Sequence, residues 1–492
     1  MNTPQLSSLP FLAAICSLLL LASVALSGTS RRVGVPVILP FLGLGLLASS
    51  TSLGVVLRQS YHVSFVLGTL SLVLILFDGG LNTPLSMARS FALPSIVLAT
   101  VGVLGTTALF ALCARLFGFS WPQAFLLGAV VSPTDAAVVF PVLRGSGIQP
   151  QKRVASILEL ESCLNDPVAA SLTPAFTLSL AGEAPLAAQS FAHMALSLGV
   201  GGVFGLGLGW LGRVMAPRIR PAAGGLYPLM TLGFALLAFG LPELVGGSGF
   251  LAVYLAGLIM GNSEMPYRAG ILRVHDSLAW LGQVVMYLVL GLLITPSHLL
   301  KVAPQGIALG ILLSAFARPG SVMLCLLPFR YPLRELVYLA VVGLRGALPI
   351  ILATYPLLWH VEDARLIFDT VFFVVLVNTF VPGSMVLWLT RQLGIESDEP
   401  PPPPALLEVV STRVLTGAKI ISFSLEASAA ACGAPISELP FPPDSAVILL
   451  IRDNEVIAPK GATVLAPGDH VYVLCKPADQ PFIQLLLGRP EA

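Results

Sequence analysis

Glu159, Glu161 and Asp166 stand in the first half of an apolar stretch, VASILELESCLNDPVAASLTPAFTLSL (154–180), long enough to cross a bilayer. Even on the mildest scale a carboxylate at bilayer depth costs at least about 2.5 kcal/mol, so such residues are functional candidates by default. At about 100° per residue, Glu161 and Asn165 share one helix face and Ser162 and Asp166 the neighbouring one. Pro167 removes the amide that would bond the Cys163 carbonyl, and Pro174 does the same for Ala170. Hard oxygen donors beside loosened backbone suit a small hard cation, bound at Asp166.

Two further apolar runs carry polar centres. One reads AVVSPTDAAVVFPVL (129–143), with Pro133, Thr134 and Asp135 inside it; the other reads AVVGLRGALPIILATYPLL (340–358), with Gly343, Arg345, Gly346 and Pro349. Irregular backbone at that depth survives only where protein or water satisfies it. Interruptions at corresponding places in two halves of a transporter point to its substrate site, and one early and one late is the placement an inverted repeat would give. Arg345 and Arg318 are as stranded as the acids. The planar guanidinium fork suits a carboxylate, so Arg345 is expected to pair with Glu161, with Asp135 as the alternative partner, leaving Asp166 free to exchange ions.

Plainer roles fit the other polar residues. Asp135 and Thr134 also suit capping of the half-helix that comes after them. Glu159, close to Arg153, reads as a solvated or ion-paired end residue, Asp78 and Glu243 as residues near span ends where snorkelling or capping suffices, and Arg318, before Pro319, as a structural group that binds freed carbonyls.

The elements that must hold these residues are membrane helices. With 56% hydrophobic and 10% charged residues among 492, and a mean hydropathy of +0.89, the chain lies outside the soluble globular range. At about 20 apolar residues per span it divides into thirteen segments: 10–27, 33–50, 63–83, 91–114, 121–143, 154–181, 188–212, 225–242, 248–262, 274–296, 303–328, 335–357 and 366–390. Fourteen Lys and Arg residues follow odd-numbered segments and four lie on the opposite side. The positive-inside rule then places the N-terminus outside and the C-terminus in the cytoplasm of a multi-pass cell-membrane protein. Ala25-Leu26-Ser27-Gly28 looks like a signal-peptidase site, but no basic residue precedes the apolar run and Arg31-Arg32 come after it, so the segment reads as a retained span. A net charge of +1 argues against a nucleic-acid partner. The six cysteines form no metal-ligand spacing and are expected to stay reduced.

After Arg391 the character changes. The expected organisation is a membrane domain over 1–395, a proline-rich linker over 396–405 containing Pro400 to Pro404, and a small α+β domain over 406–492. Alternation predicts strands at 418–424, 446–452 and 470–475, separated by turn residues. A core this thin suits a domain that dimerises.

SPTDAA (132–137), ESCLNDPVA (161–169) and GLRGALP (343–349), in this order and on these spans, resemble the NhaP/NHE-type monovalent cation:proton antiporters over roughly residues 10 to 390. The resemblance implies an all-α polytopic protein with thirteen transmembrane helices, inverted repeats, two broken crossing helices of the NhaA-like kind, and a homodimer exchanging Na+ or K+ electroneutrally for H+. It implies that Asp166 binds ion and proton, that Thr134, Asp135, Glu161 and Ser162 surround it or support it, and that Arg345 partners Glu161. Pro133, Asn165 and Arg318 are supporting residues. Asn165 stands where electrogenic relatives carry a second acid, consistent with one-for-one exchange. The tail from about 406 to 488 resembles the TrkA C-terminal domain of potassium transport proteins, which implies a small regulatory ligand and favours K+.

On that basis proton and cation compete for Asp166, and alternating access turns competition into antiport for pH and cation homeostasis. A ligand-gated cation channel would share the tail, but no TVGYG-like filter loop is present. An intramembrane aspartyl protease needs two acids sharing a proton, which Glu161, Arg345 and Asn165 fit less well. No GxxxxGK[ST] loop exists for an ATP-driven pump, and nothing reads as a cofactor site or an enzyme's machinery.

Overall fold

Gly118, with φ at 91°, takes the left-handed position that ends one helix, and two residues later Ser120 starts the next. The Ser120 hydroxyl accepts from Gln123 N–H while the Gln123 side chain accepts from Ser120 N–H, a reciprocal cap that fixes where the helix Trp121–Val131 begins. That helix runs only to Val131, where the SPTD segment interrupts it, and helix resumes at Ala136–Gly145. The late interrupted run behaves likewise: helix over Leu333–Val341, irregular backbone through Gly343 to Gly346, then short helices Leu348–Leu352 and Thr354–Leu358.

The computed structural model describes residues 9–33, 37–50, 54, 61–146, 148–182, 188–219, 221–346, 348–397, 419–425, 429–452, 455–476 and 478–488. Arg58, Arg220, Ala347 of GLRGALP, the proline run and the rest of the expected linker from 398 onward lie outside the described residues. Two units cohere separately, Met1–Glu399 and Pro400–Ala492.

In the first unit every expected segment contains helix. Seven described helices are long and apolar enough to cross a membrane: Tyr61–Asn82, Arg89–Leu116, Ala192–Met215, Leu226–Glu243, Arg268–Leu293, Leu299–Phe329 and Ala364–Gln392. This is a multi-pass helical membrane protein. The helices form two groups. In one, Arg268–Leu293 packs on Tyr61–Asn82 and Ile38–Ala48, and Gly249–Gly261 packs on Tyr61–Asn82, Leu226–Glu243 and Ala188–Met215. A Cβ on Gly80 would collide with the Tyr254 carbonyl, so these helix backbones touch where only glycine fits. In the other group, the helices between Leu85 and Leu116 pack on Trp121–Val131 and Lys152–Leu180, and Pro296–Leu312 packs on Ala364–Gln392.

The stretch that carries the three acids is continuous. Lys152–Leu180 is a single helix of 29 residues with Pro167 and Pro174 inside it. Hydroxyls of Ser171, Thr173 and Thr177 fold back onto carbonyls one turn earlier, at Pro167, Ala169 and Thr173. Interruptions of another kind occur in the helices beside it, where single π turns at Leu98–Gly102 and Leu313–Ala317 re-aim the helical segments beyond them. Ser321 Oγ donates to the Gly102 carbonyl at 2.7 Å and ties the two regions together.

In the second unit four antiparallel strands, β1 (Lys419–Ser424), β2 (Ala446–Arg452), β3 (Glu455–Ile457) and β4 (His470–Cys475), lie in the order β1-β4-β2-β3. The helix Gln480–Leu487 lays Ile483 and Leu487 against Phe423, Leu450, Val471 and Val473. Arg452 grips the buried Asp469 carboxylate at 2.7 and 2.8 Å.

Candidate ion-binding site

The two interrupted runs meet. Asp135 N–H donates to the Leu344 carbonyl at 2.8 Å, a backbone bond from one break to the other. A Cβ on Gly346 would overlap Asp135 Oδ2, so the second break lies directly against the first break's carboxylate. Thr379 Oγ1, from the last membrane helix, donates to the Arg345 carbonyl at 3.1 Å and steadies the second break from behind.

The unbroken helix supplies the other wall. Ser162 Oγ accepts from Ala136 N–H at 3.0 Å, satisfying one of the orphan donors at the start of the resumed helix. Asn165 Nδ2 donates to Thr134 Oγ1 at 2.7 Å. Ser162 and Asn165 therefore bind the first break to the helix that carries Asp166. Asp166 is half-buried one residue beyond Asn165, and its charge and that of Asp135 lie within each other's electrostatic reach.

The two arginines take roles opposite to those expected. Arg318, not Arg345, pairs with Glu161: Nη1 to Oε1 at 2.5 Å and Nη2 to Oε2 at 2.8 Å, with both residues buried. Arg345 instead sends Nη1 to the carbonyls of Ser132 at 2.6 Å and Pro133 at 3.0 Å. Physically, the break leaves carbonyls exposed at the C-terminal, partially negative end of Trp121–Val131, and a buried cation there offsets that end. Arg318 directly follows the Leu313–Ala317 π turn. Gly343 leaves room for its guanidinium, since a Cβ there would come within 2.7 Å of Nε.

Arg153 binds Glu335, whereas Glu159 accepts from Thr83 Oγ1 at 3.3 Å. Glu243 caps as expected, its Oε1 accepting from Gly249 N–H at 2.9 Å, and Asp78 is held locally by Asn82. Ser162 contributes a cap at the first break, a task for which spacing alone did not single it out. Thr379 was missed too, although Asn378-Thr379 is a polar pair inside an apolar run. So was Tyr287, a buried residue of Arg268–Leu293 whose hydroxyl has no hydrogen-bond partner among the described residues and whose electrostatic neighbour is Asp135. Nothing local in the sequence marks Tyr287.

The candidate donor set is all oxygen: two carboxylates, the hydroxyls of Thr134 and Ser162, and Asn165 Oδ1, which is buried without a hydrogen-bond partner among the described residues. Such a set fits a hard cation better than a soft one.

Comparison with known proteins agrees with this reading. Residues 18–392 match the family profile "Sodium/hydrogen exchanger, transmembrane", and residues 420–484 match the TrkA-C domain. The chain is 36% identical over 477 residues to the K(+)/H(+) antiporter NhaP of Alkalimonas amylolytica, covering 96% of this chain and 83% of that one. It is 37% identical over 464 residues to the K(+)/H(+) antiporter NhaP2 of Shewanella oneidensis, covering 94% and 80%. Its fold is similar to that of the sodium proton antiporter MjNhaP1 from Methanocaldococcus jannaschii, with a TM-score of 0.65 at 22% identity, over 79% of this chain and 100% of that one. The crossing breaks, the acid-bearing helix and these matches lead to one conclusion: the chain belongs to the sodium/hydrogen exchanger family, a family of transporters and not of enzymes, and carries a TrkA-C domain at its C-terminal end.

Proposed function

We propose that this chain exchanges K+, with Na+ as the second candidate, for H+ at Asp166. Cation:proton antiport is the function of its family and of the relatives it matches, and a channel is not. The observation that carries the siting is the junction of the two breaks, where Asp135 N–H meets Leu344 O and Gly346 abuts the Asp135 carboxylate beside Asp166. Asp166 takes either a cation or a proton. Asp135, Thr134 and Ser162 line or brace the place where the cation sits, and Asn165 turns its amide N–H to Thr134 and leaves its oxygen toward the site. Glu161 and Arg318 neutralise each other and hold the site helix against its neighbour. Arg345 offsets the carbonyl end of the first half-helix.

The wider arrangement belongs to the same proposal. Thirteen spans are supported by the lengths of the apolar segments, and on that count the basic residues favour an outside N-terminus and a cytoplasmic tail. An inverted repeat is supported by the pairing of an early and a late break, each preceded by a helix with a π turn. A second copy or lipid would cover Leu196, Val203, Leu206 and Trp210, exposed along Ala188–Met215. The TrkA-C domain would respond to a small ligand, and K+ is favoured by the names of the relatives.

The test is dissipation of a pH gradient in proteoliposomes on addition of KCl, NaCl or LiCl in turn. Exchange is expected with KCl and lost in Asp166→Asn, with insertion unchanged. Saturable, proton-coupled cation flux through Asp166→Asn would overturn the siting.

A further inference from the structure

The chain leaves the membrane unit through a short β-bridge to the helix that carries Asp166. Pro150 pairs with Glu396 in antiparallel fashion. Gln151 N–H donates to the Ile395 carbonyl at 2.8 Å, and Ser397 N–H donates to the Gln149 carbonyl at 2.8 Å. Gln151 Nε2 adds a third bond, to the Gly394 carbonyl at 3.1 Å. These bonds flank the Pro150–Glu396 pair, so that pair is the non-hydrogen-bonded kind and the missing proline N–H costs nothing. Ile148 and Ile395, both buried, anchor the two strands in the apolar core.

Position makes this clasp more than a loop contact. Gln151 is the residue immediately before the helix Lys152–Leu180, and its carbonyl accepts the Ala155 N–H of the first turn at 3.0 Å. Its other partners, Gly394 and Ile395, lie just past the last membrane helix, and the chain runs on from Ser397 to the TrkA-C unit. The next residue but one, Arg153, is bound to Glu335 and lies over the Tyr331 ring, at the start of the second interrupted run. One end of the acid-bearing helix is therefore held by the run that forms the second break and by the segment that leads to the tail.

We propose that the Gln149–Gln151/Gly394–Ser397 clasp is the joint through which the state of the C-terminal domain reaches Asp166. Changes in the tail draw on Ser397 and Ile395, loosen or tighten the first turn at Gln151, and so alter how the site helix moves. The transport readout rests on the antiport reading above.

The full-length chain tests this. Pro150→Cys with Glu396→Cys places thiols across a non-hydrogen-bonded pair, where Cα atoms stand about 4.5 Å apart, inside the range of about 4.4–6.8 Å that a disulfide spans. Single-cysteine variants serve as controls. The tail is perturbed by Asp469→Ala, which removes the partner of Arg452 and of Ala466 N–H. With the clasp reduced, Asp469→Ala is expected to change the apparent K+ affinity by about fivefold or more, the lower end of ordinary allosteric couplings; with the clasp oxidised, the change is expected to vanish. Gln151→Pro, which suits the φ of −51° at this position and deletes both Gln151 donors, is expected to reproduce the Asp469→Ala effect. An equal response with the clasp closed, or exchange that ignores all three changes, overturns the proposal. Amide hydrogen exchange over residues 152–158 of the purified full-length protein is a second readout that needs no transport. Faster exchange in Asp469→Ala only while the clasp is open supports the joint, and unchanged protection overturns it. Absence of cation-driven proton flux in the unaltered chain would strike the antiport reading and leave that second readout intact.

Discussion

Arg318 and Glu161 form a two-bond fork, at 2.5 and 2.8 Å, with both side chains out of reach of solvent. Each charge is tolerated there because of the other. Removing one partner leaves an uncompensated buried charge, which costs about 3–5 kcal/mol. Glu161→Ala and Arg318→Ala are therefore expected to unfold at clearly lower temperature in detergent, and Glu161→Leu with Arg318→Met together to recover most of the loss. If the double variant unfolds as early as the singles, the pair is not the source of the cost.

Gly346→Ala is expected to abolish exchange. The added methyl would overlap Asp135 Oδ2, Cγ and Cβ alike, closer than real Cβ contacts come, so Asp135 as a whole must be displaced. A misplacement of about 1 Å at a reacting centre costs on the order of a hundredfold in rate. Flux within about twofold of the unaltered chain, with normal expression, would show that Asp135 has room to move at no cost to transport.

Ser162→Ala removes the acceptor for Ala136 N–H, a capping interaction delivered from a neighbouring helix. The expected loss is about 1 kcal/mol of stability, typical of a missing cap, with slower exchange because the resumed helix loses its fixed starting point. Ser162→Thr keeps the oxygen and is expected to retain both. Thermal unfolding and flux on the same preparations decide it.

Arg345→Leu leaves the Ser132 and Pro133 carbonyls unmet at the first break, each a penalty of about 1–3 kcal/mol if no water replaces the donor. Arg345→Lys restores a charge but not the rigid fork. The expected order of exchange rate is Arg, then Lys, then Leu. A Leu variant as active as the Lys variant would mean that positive charge at the half-helix end contributes nothing.

The motifs SPTDAA, ESCLNDPVA and GLRGALP carried most of the site in their residue types, because a carboxylate or arginine inside an apolar run has few uses. What they could not carry was pairing. Arg318 and Arg345 are equally stranded in one dimension, and only the crossing of the breaks shows that the free carbonyls of Ser132 and Pro133 lie nearer Arg345 while Glu161 faces Arg318. Pro167 and Pro174 do not interrupt their helix. A proline removes one bond, yet a helix packed on both sides runs through, so Lys152–Leu180 stays whole where the late run is irregular from Gly343 to Gly346. Tyr287 escaped notice because an aromatic residue among apolar neighbours looks like core until its hydroxyl is found without a partner among the described residues. In the tail, β2 and β4 lie where the sequence places strands, over 446–452 and 470–475, whereas the three residues of β3 are too few to show a pattern.

Because Lys152–Leu180 is one rod, it acts as a lever. From Lys152 to Asp166 is about 21 Å at roughly 1.5 Å of rise per residue, so a tilt of about 10° about the rod's foot carries the acid sideways by roughly 4 Å. That travel exceeds the length of a bond between oxygen and a hard ion, about 2.3–2.6 Å for calcium. A tilt of that size at the foot is enough to open or close a coordination shell at the tip.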